Sequence, residues 1–309
     1  MPVYYRYCIA RACIGVGQRD EDGRDRSFRV MNFLDNYLDK LIFLVSAALV
    51  FIPLERVFPR VRRQGWIRDN LKLDVMYMLL GAVAIMLLSA IFITVAVVLL
   101  GPLVPESARS FVRSQNFVVQ ALMLIVAGDL YYYWAHRLFH TLPVLWKFHA
   151  IHHSIEDMDW IAAHRTHPVD TAITNSGAFI IALLFDFGAL AILIFGVQFS
   201  WHSLLKHSNV SVSWGPLRWL YLTPTFHHWH HANVEEAYDK NFAGQLPVWD
   251  LVFGTAIMKQ DEGPDRYGVN DPVPRTFLGS LAYPFKPRQT GREEAEPADA
   301  VVPGNAVAD

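Results

Sequence analysis

The stretch Val75–Pro105, "VMYMLLGAVAIMLLSAIFITVAVVLLGPLVP", contains no charged residue. A helix crosses a bilayer with about 20 apolar residues, so this run is too long to be an ordinary core helix. It makes the chain an integral membrane protein. Three more apolar runs accompany it: Leu41–Leu54, Ser114–Gly128, which continues past Asp129 into Leu-Tyr-Tyr-Tyr-Trp, and Thr171–Trp201, interrupted by Asp186. Composition agrees, with 53% apolar and 18% charged residues, nine Trp and twenty Phe in 309 residues. A net charge of −2 offers nothing to a nucleic-acid partner. Both cysteines, Cys8 and Cys13, stand near the N-terminus, which argues against disulfides and Cys-type zinc sites in the body.

The ends differ from the middle. Residues 1–30 lack the apolar stretch of a signal peptide, and Met31 opens "MNFLDNYLDKLIFLV". They are expected to be a disordered extension or a product of start-site choice. The membrane-embedded domain is expected over residues 31–285. The closing segment 286–309, rich in Pro, Ala and charge, is expected to be a disordered tail.

Charges orient the runs. Arg56, Arg60, Arg62, Arg63, Arg68 and Lys72 lie between the first two, and such clusters favour the cytoplasmic side. The second run then leaves the cytoplasm and the third returns to it. The fourth raises a constraint, because all 13 histidines fall between His136 and His231, on both sides of it. A single crossing would split them between two compartments. The run is therefore expected to enter and come back, turning near "FDFG" at Phe185–Gly188. Each arm measures roughly 20 Å at about 1.5 Å per residue, short of a 30 Å crossing. The expected fold is an all-α integral membrane bundle with transmembrane and re-entrant helices under a cytoplasmic histidine-rich helical cap.

Three histidine clusters share one spacing. "HRLFH" sets His136 and His140 at i and i+4; "HAIHH" sets His149, His152 and His153 at i, i+3 and i+4; "HHWHH" repeats that with His227, His230 and His231. On helices those offsets share a face. Helical periodicity turns His228 about 100° from His227, outside the set. Thr223 and Pro224 suit the cap and first position of the helix carrying the last cluster. Packed imidazoles without metal would lose solvation and repel on protonation. Structural zinc needs four ligands, so eight histidines fit two adjacent ions. Imidazole suits Zn, Cu, Fe and Ni alike. The carboxylate di-iron motif Glu-x-x-His is absent. The residues alone lead to a binuclear histidine-rich site and leave the reaction open.

The ordered series His136–His140, His149–His153 and His227–His231 resembles the fatty acid hydroxylase and sterol desaturase superfamily, with the pattern HxxxH, HxxHH, HxxHH. "AHRTHPVD" (Ala163–Asp170), "KHSN" (Lys206–Asn209) and "DKNFAGQLPVWDLVFGT" (Asp239–Thr255) extend the resemblance, which runs from about Leu54 to Thr255. Phe242 stands where the family usually has Tyr. The resemblance implies a non-haem di-iron centre that uses O2 to hydroxylate or desaturate a lipid: sterol-like, fatty-acyl or another isoprenoid or alkyl lipid. The implied ligands are His136, His140, His149, His152, His153, His227, His230 and His231, with His207 as a ninth. His164, His167 and Asp170 are additional ligands or groups that orient the ligand imidazoles; Asp170 could equally cap a helix. No fused cytochrome b5 segment is visible, so electrons are expected from a separate ferredoxin, reductase or cytochrome.

Two other functions compete: a histidine-rich metal-binding or transport protein, and a zinc-dependent non-redox hydrolase. Transport predicts ionisable residues within the spans, where Asp186 alone qualifies. Substrate-wall candidates are Phe139, Trp146, Trp160 and the set Trp214, Trp219 and Tyr221, although an aromatic belt explains the last three as well.

Overall fold

The chain is described by a computed structural model over residues 33–287, apart from 66, 213, 260 and 261. The expected N-terminal extension, both cysteines and nearly all of the expected tail lie outside the described residues. Among the described residues there are helices and no strands, with two isolated bridges, Pro59 to Val210 and Ala232 to Tyr267.

The apolar runs become helices α1 (Phe33–Val57), α2 (Leu71–Leu100) and α4 (Phe117–Thr141), with a short polar helix α3 (Glu106–Ser114) joining the last two. Three helical segments are long and apolar enough to cross a membrane: Leu71–Leu103, Phe117–Thr141 and Ala189–His207. Only 11% of the apolar stretch of the first is buried, as suits a helix that faces lipid. Its buried residues Leu73, Asp74, Tyr77, Gly81, Ser89 and Ile93 form a stripe that winds slowly round the helix. The Asn116 side chain caps α4, accepting from Val118 N and Val119 N at 3.0 and 3.1 Å.

The fourth run forms the expected hairpin: α6 (Pro168–Thr174) and α7 (Gly177–Leu184) descend, and α8 (Ala189–His207) returns. The turn falls at Phe185–Gly188, with Asp186 at φ 61°. Its arms are longer than the sequence suggested. The return arm has 19 residues, about 28 Å at 1.5 Å per residue, because the helix continues past Trp201 to His207. The tip reaches the end of the bundle opposite the histidines. There Asp186 meets Arg113 at 2.7 Å, and the Gln120 side chain accepts from Gly188 N at 2.6 Å. Gly128 lets α4 approach α7 closely; a Cβ there would lie 2.7 Å from that of Ala178.

The cap is built from α5 (Pro143–His153), α9 (Pro224–His230), α10 (Val248–Phe253), α11 (Phe277–Ala282) and their loops. Thr223 caps α9, accepting from Phe226 N at 3.2 Å, and Pro224 takes the first turn. The basic linker lies at this same end: Arg60 N bonds Asn209 O at 3.2 Å and Gln64 Nε2 bonds Met158 O at 3.0 Å.

Candidate metal centre

Membrane-length helices carry the cap's histidines into place. α4 delivers His136 and His140 from its last two turns, and α8 delivers His207 as its final residue. α5 contributes His149, His152 and His153; α9 contributes His227 and His230, with His231 just past its end. Two groups result. His136, His140, His149, His153 and His230 form one, and His152, His207, His227 and His231 form the other. Within each group one ligand atom per residue lies within 4.8 Å of every other. The groups adjoin, since the rings of His153 and His231 stack at 4.5 Å.

The HxxHH motifs do not deliver their three imidazoles together. In α5 the i and i+4 residues enter the first group and the i+3 residue, His152, enters the second. α9 reverses this: His227 and His231 enter the second group and His230 the first. Successive helical residues diverge by about 100°, so each His-His pair straddles the boundary between the groups. The α5 and α9 motifs thus each contribute to both groups, which α4 and α8 complete.

Tutored by their hydrogen bonds, these imidazoles turn lone pairs inward. His136 Nδ1 donates to Phe242 O at 2.7 Å and His149 Nδ1 to Asp170 Oδ2 at 2.7 Å. His152, His207 and His230 donate Nδ1 to the carbonyls of Arg165, Ser203 and Lys240 at 3.0, 2.7 and 2.7 Å. A carbonyl only accepts, so Nδ1 carries the proton and Nε2 of the neutral ring a lone pair. Yet Nε2 of His136 and His149 lie 2.9 Å apart, and those of His152 and His207 3.1 Å. Two lone pairs at that distance repel unless a cation lies between them. With metal–nitrogen bonds of about 2.1 Å, right-angle donors sit about 3.0 Å apart, which the observed spacings match. His140 Nε2 is buried with no hydrogen-bond partner, and its Nδ1 lies 3.6 Å from Asp239 Oδ1. Burial pushes His149 and His152 down to about 3, helped by the Lys206 charge at His149 and by His149 at His152. The rings therefore stay neutral, as ligands must. The residues fit a pair of metal ions.

Asp170 therefore does what the sequence left undecided: it sits in the first turn of α6 and also holds His149. His167 instead caps α6, accepting from Val169 N at 3.1 Å, and its Nε2 donates toward Leu281 O at 3.3 Å. His164, in the 3-10 turn Ala162–His164, belongs to neither group. His202 donates to Leu222 O at 2.8 Å, and His228 donates to Ser208 O at 3.1 Å while accepting from Tyr267 OH at 3.0 Å. Among the aromatic candidates, Phe139 and Trp146 adjoin the first group, 6.0 Å from His149 and 5.2 Å from His140. Trp160 stacks on Phe51 at 6.4 Å and Tyr221 packs on His202 at 4.2 Å.

Supporting residues escaped the sequence reading. The loop Lys240–Leu246 supplies the carbonyls for His230 and His136, and three side chains hold it. Asp129 accepts from Gly244 N and Leu246 N at 3.0 and 2.8 Å. Asp250 accepts from Phe242 N and Ala243 N at 2.8 Å each, and Asn241 Nδ2 donates to Phe226 O at 2.9 Å. A Cβ on Gly244 would come within 2.7 Å of Asp129 Oδ1, so the close approach requires glycine. A buried charge chain braces the other side. Arg68 binds Asp159 through two bonds of 2.6 and 2.7 Å and Asp74 at 2.5 Å; Asp74 also pairs with Arg165, whose carbonyl holds His152. One signal was available: Asp129 lies seven residues, two helical turns, before His136. Asp186 lies in the hairpin turn, and other ionisable groups do fall within the long apolar helices. Asp74 and Lys206 are buried at the cap ends of their helices, and Asp129 is buried at the midpoint of Phe117–Thr141.

Residues 121–255 match the family model described as fatty acid hydroxylase. The chain is 33% identical over 175 residues to ornithine lipid hydroxylase OlsE of Rhizobium tropici, covering 57% of this chain and 52% of that one. It is 31% identical over 166 residues to alkylglycerol monooxygenase of Danio rerio, covering 52% and 35%. Methylsterol monooxygenase 1 of Rattus norvegicus is 26% identical over 142 residues, covering 45% and 47%. The matches thus span about half the length of these relatives or less. No solved structure matches the chain.

Proposed function

We propose that this chain, which carries a fatty acid hydroxylase domain over residues 121–255, is an O2-dependent membrane oxygenase that hydroxylates a lipid. The observation that carries the reading is the pair of adjoining imidazole groups whose Nε2 lone pairs converge. One ion would be held by His136, His140, His149, His153 and His230, the other by His152, His207, His227 and His231. Iron is the metal we assign, on the resemblance to the fatty acid hydroxylases; imidazole by itself would take zinc or copper as well. When bound, two iron ions supply the one-electron steps of O2 activation. The net reaction consumes a C–H bond, O2, two electrons and two protons and yields an alcohol and water.

The chain's own residues hold the geometry. Asp170 and the carbonyls of Arg165, Ser203, Lys240 and Phe242 fix tautomer and ring plane. The substrate is an amphipathic alkyl lipid that enters from the bilayer, with its chain directed to the groups beside Phe139 and Trp146. Hydroxylation rather than desaturation is favoured by relatives named for hydroxylation or monooxygenation of an ornithine lipid, an alkylglycerol and a methylsterol. Electrons come from a separate ferredoxin, reductase or cytochrome. The basic linker at the histidine end supports a cytoplasmic position for the centre.

The test uses the full chain in vesicles with reductant, a lipid extract and 18O2. Two irons per chain and a lipid product carrying one labelled oxygen are expected. Zinc with O2-independent turnover would overturn the reading, and a product that has lost two hydrogens without gaining oxygen would replace hydroxylation by desaturation.

A further inference from the structure

We infer that the short helix α10 is a membrane anchor, lying in the headgroup–acyl boundary of the leaflet at the histidine end with its apolar face in lipid. Val248, Leu251 and Val252 fall at i, i+3 and i+4 and are all exposed, Val252 by 64%. Water is a poor partner for such a face on so small a helix. The occupant is indicated by continuity. Leu122, Val126, Trp134 and Leu138 form an exposed stripe along the candidate span α4, with the half-buried Leu130 between Val126 and Trp134. That stripe runs into α10, where Phe253 meets Trp134 at 5.0 Å and Tyr133 at 5.1 Å between ring centroids. Lipid that covers Trp134 therefore also reaches Phe253, the neighbour of Val252. Arg137 marks the boundary: its guanidinium lies 5.5 Å above the Trp134 ring and donates to Tyr133 OH at 3.1 Å, the place of a snorkelling cation.

The other side of α10 faces the metal centre. Asp250 is fully buried and holds the backbone of Phe242, whose carbonyl orients His136. The same six-residue element thus joins the lipid surface to the imidazole groups through one hydrogen-bonded loop. Interfacial helices of this kind sink about 5–10 Å below the headgroups, so the anchor sets the depth at which the cap meets lipid. The inference rests on the membrane reading of α4 and not on the reaction.

The experiment uses the full chain with Cys8 and Cys13 changed to Ser, reconstituted in phosphatidylcholine vesicles. Single cysteines at Val252→Cys, Leu251→Cys, Val126→Cys and Glu235→Cys carry a bimane label. Labels at 251 and 252 should lose emission with brominated-chain phosphatidylcholine, as the label at 126 does, and resist aqueous iodide. The label at Glu235, an exposed carboxylate elsewhere on the cap, should show the reverse. Iodide quenching at 251 and 252 to the extent seen at 235 would overturn the anchor. Protection from both quenchers would overturn it as well, by showing a protein surface in place of lipid. Neither readout depends on metal or turnover, so an inactive enzyme leaves the anchor standing and a water-facing α10 leaves the oxygenase reading standing.

Discussion

His149 donates Nδ1–H to the Asp170 carboxylate at 2.7 Å, and both side chains are buried. The carboxylate fixes the ring's tautomer and raises its basicity toward the ion it would bind. Losing such a partner lowers metal affinity by about 10–100-fold. Asp170→Ala is expected to fall in that range when metal is titrated against a chelator. Unchanged affinity would reduce Asp170 to a helix-capping residue.

His152 and His228 differ by what their second nitrogen does. His152 Nε2 faces His207 Nε2, whereas both nitrogens of His228 are taken by Ser208 O and Tyr267 OH. His152→Ala should abolish turnover and lower metal content while the chain still inserts in membrane. His228→Ala should keep its metal and lose about 1–3 kcal/mol of stability from the partners left behind. Metal analysis and thermal unfolding in detergent separate the two; metal loss in His228→Ala would redraw the ligand set.

Arg165 and Asp74 form a buried ion pair within the chain Asp159–Arg68–Asp74–Arg165. Arg165→Met leaves a buried carboxylate in excess and is expected to cost about 3–5 kcal/mol. Adding Asp74→Asn should recover part of that loss. A single variant as stable as the parent would show that water already screens the chain.

Metal-free protein should weaken in acid. His149, His152 and His228 are held near 3 by burial, against 6.5 for the exposed ring. The unfolded chain binds protons that the folded chain refuses, so stability is complete above about pH 6.5 and falls as pH drops toward 3. Denaturant unfolding across that window checks it; a flat profile would show that the rings already carry protons in the folded state.

The hairpin turn sits beside Arg113, at the end of the bundle away from the histidines. A cysteine at Phe185 should react with an impermeant reagent only from the compartment opposite His140. Labelling from neither side would restore the shallower hairpin suggested by apolar length alone.

The turn at Phe185–Gly188 followed from requiring the histidines on both sides of the fourth run to lie in one compartment. Periodicity and composition by themselves determined the helical membrane class and the histidines carried at the ends of long helices. These are local consequences of apolar length, capping residues and repeated spacing, so they can be read along the chain. The division of imidazoles into two groups was decided by tertiary structure alone. His152 and His153 are neighbours, yet they face different groups because helical rotation separates them and the orientation of α5 against α9 chooses each one's companions. The same holds for the carbonyls of Lys240 and Phe242, since a backbone oxygen has no sequence signature and acquires its role only when Asp129, Asp250 and Asn241 bring the loop under the site.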